Sequence, residues 1–430
     1  MKWAARSQRR ASASWLLCAL SFLCAGLLCG ASWAEGLVAS PEPDWPQWRG
    51  PRRDGISPAT GLAKSWPAEG PQLLWKKSGL GVGWSSPIIV GQRLYITGDV
   101  NDELLVFALD LSGQELWRAA NGKSWTGSYP GARACCCYSA GKVYHLNAHG
   151  RLVCLDATNG QSDWTVDVLQ RFGGENITWA LSENLLVDGQ HVIVTPGGTR
   201  GLMAALDKAS GDTIWTTPAL PDERTSHSSP VLFEYAGRRI LASCSAAHGF
   251  AVDADTGALL WTVPLKNPHG VNVSTPIYAD GRVYFVTPYS EDGRQYALQQ
   301  NGTQLGVTEV WRCPLDTVTG GGVLVDGTLY SAGYRRDKWW RGVDWRTGAT
   351  TCELKDLTTG AATYADGRLY CLDEKGRAGL VALESDGMRL AGSFPLVTDR
   401  VTDAWAHPVV LEGRLYLRYH DTLYCYDVAE

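Results

Sequence analysis

Little in this chain points to helices or to a familiar catalytic centre. Of its 430 residues only 3 are Met, and 19% are charged, against the roughly 25% usual for soluble proteins. The patterns G-x-S-x-G, H-E-x-x-H, the P-loop, the EF-hand loop and C-x-x-C-H do not occur. Their absence excludes the nucleophile-elbow hydrolase, zincin, P-loop nucleotidase, EF-hand and c-type haem readings. Gly79, Gly81 and Gly83 form a G-x-G-x-G run, but no helical pattern follows to make a phosphate site, so a turn is expected there. Beyond the N-terminus no run is apolar enough to cross a membrane. The net charge of −5 becomes −9 when Lys2, Arg6, Arg9 and Arg10 of the acid-free first 34 residues are set aside. That balance argues against a nucleic-acid partner, because such binding is driven by neutralising phosphates.

What is present begins with a basic stretch and an uncharged run from Ala11 to Ala34, ending in Ser32-Trp33-Ala34 before Glu35. This is the order of a secretory signal, with small residues at the positions a peptidase reads. Residues 1–34 are therefore expected to be a signal peptide, or an N-terminal anchor if uncleaved. Residues 35–72 read as an N-terminal extension. The protein is expected in the periplasm or secreted, touching a membrane only through such an anchor. Nine of the 12 cysteines follow residue 34. An odd number in an oxidising compartment leaves at least one thiol unpaired or intermolecular.

The 48 glycines and 19 tryptophans resolve into a repeat. Gly91, Gly141, Gly189, Gly237, Gly281, Gly327, Gly367 and Gly413 each precede an alternating apolar stretch, 40 to 50 residues apart. This is the pattern of a tight hairpin opening a strand. A second signature follows: small residue, apolar residue, acid, then Gly, then Trp. Ala205-Leu206-Asp207, Gly211 and Trp215 carry it, as do Ala251-Val252-Asp253, Gly257 and Trp261. Cys154-Leu155-Asp156 with Gly160 and Trp164, and Ala108-Leu109-Asp110 with Gly113 and Trp117, are close variants. Cys154 and Cys425 sit in the small-residue slot expected to be held elsewhere by Ala108, Ala205, Ala251, Ala297 and Ala382. The last copy, Cys425-Tyr426-Asp427, stops before its fourth strand, whereas Leu73-Leu74-Trp75 is a fourth strand without a blade. The expected fold over 73–430 is all-β: an eight-bladed β-propeller with tryptophan-docking repeats, closed by the N-terminal strand pairing into the last blade.

The recurring Ala-x-Asp-x-x-Thr-Gly-x-x-x-Trp motif resembles the repeat of the pyrroloquinoline-quinone-type propeller family over residues 73–430. That family contains quinoprotein dehydrogenases and non-enzymatic BamB-type propellers. The segment from Asp44 to Gly55 is similar to the leader of exported planctomycete members. The resemblance implies two functions. One is a non-enzymatic scaffold needing no cofactor, which binds a cell-envelope protein or a small ligand. The other is an oxidoreductase holding pyrroloquinoline quinone and Ca²⁺ in the central funnel, with a vicinal disulfide against the quinone. Cys135-Cys136-Cys137 could supply that disulfide, or could simply be small residues at an inner-strand start, where sibling repeats carry Ser-Ser-Pro (85–87, 228–230) or Ser-Thr-Pro (274–276). For Ca²⁺, which takes six to eight oxygens, the candidates are Glu183, Asn272 and Asp316. The funnel residues expected just ahead of the hairpins are Trp84, Arg133, Trp179, Glu183, His227, Asn272, Thr319, Thr359, Trp405 and His407, a set that could stack and orient a flat polar ligand. A third reading is carbohydrate or envelope-polymer binding on those tryptophans. The basic-aromatic run Tyr334 to Arg341 is a further candidate surface, or else an irregular hairpin.

Overall fold

The computed structural model describes residues 44–289 and 293–430; the expected leader at 1–34 and the first residues of the extension lie outside them. The chain forms eight antiparallel sheets of four strands, each sheet one blade. The innermost strands of blades 1 to 8 are Ile88–Val90, Cys137–Ser139, Leu186–Asp188, Val231–Tyr235, Ile277–Ala279, Val323–Val325, Gly360–Ala365 and Val409–Leu411. Among the described residues the one α-helix is Val168–Phe172, whose start is capped by Asp167. The outer strand of blade 8 is Gln72–Lys77, paired antiparallel with Thr422–Asp427. The closure expected from the sequence is therefore present, and it leaves the ring without an open seam.

Six inner hairpins have both turn residues at positive φ, as in Asp326-Gly327 (47° and 76°). That is the type I′ geometry whose twist suits two antiparallel strands. Between blades the repeat acts through one recurring contact. Trp75, Trp117, Trp164, Trp215 and Trp311 donate their indole N–H to Leu111, Ala157, Lys208, Ala254 and Trp345 in the following blade, at 2.9–3.2 Å. Each acceptor stands one residue after the signature acid of the next blade. The indole lies flat on that turn's glycine: a Cβ added at Gly257 would sit 2.4 Å from Trp215. Asp207 stiffens its turn by accepting the backbone N–H groups of Ala209 and Ser210. Trp75 makes the same contact from blade 8 to blade 1. Trp261 has no such turn to meet, because blade 5 carries the long hairpin 293–313; its indole N–H finds no acceptor.

Register corrects two expected slots. In blades 5 and 7 the residue opposite the outer strand just before the β-bulge is Gln295, facing Trp311, and Leu380, facing Gly392. Ala297 and Ala382 lie two residues further on. Both hairpins are longer than their siblings, so counting back from the acid misses the bulge that sets the register.

Candidate functional site

The inner strands begin with small polar groups that tie neighbouring blades together around the axis. Ser86 Oγ donates to His407 O (2.9 Å), Ser228 Oγ to Ser274 O (2.9 Å), Thr319 Oγ1 to Gly360 O (2.7 Å) and Thr363 Oγ1 to Pro408 O (2.6 Å). Cys135 belongs to this ring: its Sγ accepts from Ser86 N at 3.1 Å, while its own N–H donates to Asn184 Oδ1 at 2.7 Å. Cys135, Cys136 and Cys137 are all buried free thiols, their pKa values raised by burial.

One mouth of the channel is floored by residues 45–57, which bond to all eight inner-strand regions. Trp45 exchanges two backbone hydrogen bonds with Ile89 in blade 1, and Pro46 O accepts from Tyr138 N in blade 2. Arg53 donates to Asn184 and Leu185 carbonyls of blade 3 (both 2.9 Å) and to Pro230 O of blade 4 (2.8 Å). Trp48 Nε1 reaches Thr275 Oγ1 in blade 5 at 3.1 Å, and Arg49 reaches Gly322 O in blade 6 at 2.5 Å. Ser57 N bonds Tyr364 O in blade 7, and Ser57 Oγ bonds Val410 O in blade 8. Arg49 and Arg53 are buried and burial lowers each pKa to about 10, so both stay charged at neutral pH. Backbone carbonyls, with Gln47 Oε1 for Arg53, take most of their N–H groups in place of carboxylates, and Arg49 Nη1 is left without a partner.

Above this floor lies a cavity of about 200 Å³. Six of the eight predicted site residues line it: Trp84, Arg133, Trp179, His227, Trp405 and His407. Thr319 lines it as well, and Thr359 does not. Glu183 and Asn272 are turned away. The Glu183 carboxylate accepts from Thr195 N (2.9 Å) and Thr195 Oγ1 (2.7 Å), and the Asn272 amide donates to carbonyls of Ser245, Ala246 and Leu265 at 2.8–3.2 Å. Their sequence neighbours Ser182, Asn184, Val271 and Val273 face the cavity instead. The cause is the two-residue alternation of an extended chain: Trp84, Arg133, Ser182, His227, Val273, Thr319 and Trp405 share one parity relative to the strands they precede.

Sequence reasoning missed Trp48, Tyr129 and Tyr289, which also line the cavity, and gave Tyr334 as part of a separate surface rather than of this wall. Tyr334 belongs to the basic-aromatic run, and Asp316 holds its loop by accepting Tyr334 N (2.7 Å) and Arg335 N (2.9 Å). Trp48 packs on His407 with ring centroids 4.3 Å apart. Trp84 and Trp405 lie 5.3 Å apart, and Tyr129 is 5.0 Å from Trp405. No lining residue is Asp or Glu. Arg133 is the charged one; its guanidinium lies 5.3 Å from the Trp84 ring and bonds four carbonyls, those of Ser128, Tyr129, Gly131 and Trp179. Burial lowers it to about 10. His227 and His407 are held neutral, burial lowering them to about 4 and about 3. His407 Nε2 pairs with Thr319 O at 2.7 Å, and His227 Nδ1 with Ser182 Oγ at 3.0 Å.

These residues do not fit a metal-bound quinone. Glu183, Asn272 and Asp316 are each committed to different protein groups and do not converge, and the described residues contain no cluster of His, Cys, Asp or Glu able to hold a metal. The cavity is also smaller than the roughly 300 Å³ at which pockets for drug-sized ligands begin.

Comparison with known proteins follows the fold. The chain is 28% identical over 166 residues to quinohemoprotein alcohol dehydrogenase ADH-IIG of Pseudomonas putida, a match of 34% of this chain and 22% of that protein. It thus spans under a quarter of that relative's length. Among solved structures it resembles quinohemoprotein alcohol dehydrogenase from Comamonas testosteroni (TM-score 0.61, 15% identity, 90% of this chain and 81% of that one). BamB from Moraxella catarrhalis gives a TM-score of 0.57 at 15% identity, over 83% of this chain and 97% of that one. At such identities the likeness speaks for the fold alone. Residues 101–341, more than half of the chain, match the family described as outer membrane protein assembly factor BamB, and the chain belongs to that family of PQQ-repeat β-propellers.

Proposed function

We propose that the protein is a non-catalytic binding scaffold of the cell envelope, exported by its first 34 residues, that receives a partner protein or small ligand at the open mouth of its channel. The composition of the cavity wall carries this reading. General acid–base chemistry at neutral pH needs a group poised near that pH, and the wall offers two neutral histidines, one committed guanidinium and aromatic faces. Aromatic side chains with a few fixed polar groups make a recognition surface. The family's description as an outer membrane assembly factor supports the scaffold side of the choice. The segment sealing the opposite mouth supports it too, since it turns the channel into a blind socket.

The oxidoreductase reading draws on the identity to an alcohol dehydrogenase, and titration separates the two. The purified chain is mixed with pyrroloquinoline quinone, with and without Ca²⁺, and assayed for dye-linked alcohol oxidation. The scaffold reading expects neither Ca²⁺-dependent binding nor turnover. Micromolar Ca²⁺-dependent binding with alcohol oxidation would sink it. For export, the mass of the protein recovered from a periplasmic or secreted fraction tests removal of residues 1–34.

A further inference from the structure

We infer that the cavity is a receptor for a single-ring aromatic carboxylate, its ring held against the wall of Trp84, Trp405 and Tyr129 and its acid group turned toward Arg133. The inference rests on the binding-scaffold reading and gives its ligand a chemistry. Size sets the first limit. About 200 Å³ accommodates one ring with a short substituent, below the roughly 300 Å³ typical of pockets for larger ligands.

Wall geometry sets the second. Trp84 and Trp405 are inclined at 35° with centroids 5.3 Å apart, and Tyr129 meets Trp405 at 48° and 5.0 Å. At these separations the three rings pack on one another and form one apolar wall, against which a flat ring can lie edge-on or offset.

The polar groups decide the sign of the charge. Aromatic faces alone would equally suit an organic cation. Here Arg133 puts a positive charge in the wall, and no ion pair joins it to a carboxylate among the described residues. The carboxylate whose field it feels, Asp99, accepts Trp125 N at 2.8 Å and does not line the cavity. Four of the five guanidinium N–H groups are used by carbonyls, which fix the group and leave its charge in place and one Nη1 hydrogen over. Trp405 Nε1 is buried without an acceptor and has no exposed surface toward the cavity, so the charge of the wall rests on Arg133. His227 Nδ1 pairs with Ser182 Oγ and His407 Nε2 with Thr319 O, while His407 Nδ1 is buried without a partner. The wall thus carries one positive charge and no negative one, and a ligand complementary to it brings one negative charge.

Calorimetric titration of the purified full chain with benzoate, benzamide and N,N,N-trimethylanilinium tests this. Benzoate is expected to bind saturably, about ten-fold or more tighter than the isosteric amide, and the cation not at all. Arg133→Gln removes the charge and is expected to weaken benzoate about ten-fold while leaving benzamide little changed, whereas Arg133→Lys, which keeps the charge, is expected to retain the preference for the acid. Equal affinity for acid and amide, or a preference for the cation, overturns the ligand class. No saturable binding of any of the three at millimolar concentration, with circular dichroism reporting an intact fold, overturns the receptor itself. The scaffold reading survives those outcomes, since only quinone binding with turnover removes it.

Discussion

The guanidinium of Arg53 donates to the carbonyl oxygen of Leu185 at 2.9 Å, across 132 positions of sequence. With its bonds to Asn184 and Pro230, this one side chain pins the floor of the channel to two blades. Arg53→Ala leaves three buried carbonyls unpaired at about 1 kcal/mol or more each, so a loss of about 3 kcal/mol is expected. Arg53→Lys should lose nearly as much, because a single ammonium cannot fan out to acceptors spread as these are. Urea unfolding midpoints measure both; a lysine variant as stable as the parent would show that charge alone is what the site needs.

The flat contact between indole and glycine predicts a graded response to one added methyl group. At Gly302 (φ 60°) nothing lies within 4 Å of an added Cβ, so alanine there should cost only the left-handed backbone, about 1 kcal/mol. At Gly257 (φ 72°) the same Cβ meets Trp215 at 2.4 Å, and about 3 kcal/mol is expected. Equal thermal unfolding losses in the two variants would mean that the indole moves aside freely.

Buried histidines set an acid limit to stability. His227 and His407, ordinarily near 6.5, are lowered by burial to about 4 and about 3. Between those values the unfolded chain binds protons that the folded one refuses, so stability present above about 6.5 is lost as pH falls toward 4. Melting temperature against pH should decline over that interval, and His407→Gln should flatten the decline.

Glu183 works in the opposite direction. Burial raises its carboxyl from 4.5 to about 7, so the folded state holds this proton more tightly than the unfolded state does. Its contribution is complete below about 4.5 and is lost as pH rises through about 7. Glu183→Gln removes that loss, whatever its offset at low pH. Identical slopes for parent and variant between pH 5 and 8 would place the proton elsewhere.

Eight of the nine described cysteines are buried and only Cys352 is partly exposed. Thiolate is the reactive form, and burial suppresses it. Alkylation of the native protein followed by mass spectrometry should therefore label Cys352 first among these nine. Rapid labelling of Cys135 or Cys137 would contradict the packing of the inner-strand ring.

By itself the sequence determined the number of blades and the closure by the strand around Trp75, and it marked the five tryptophans that reach the next blade together with Trp261, which does not. All of these follow from a local period: positive-φ turn residues, an acid that caps a turn, and a glycine on which an indole can lie. What escaped it depended on parity, register and partners distant in the chain. Glu183 and Ser182 are neighbours with opposite facings, and no composition tells which one looks into the channel until strand pairing fixes the phase. Ala297 was misplaced because a bulge, invisible in sequence, resets the count. The segment at 45–57 has no period at all. Only the tertiary structure could bring Trp48, Arg49 and Arg53 onto the axis, where the Thr275 hydroxyl and carbonyls of blades 3, 4 and 6 turn inward to meet them. The blades are local chemistry repeated; the socket is what remains at the centre once they are closed into a ring.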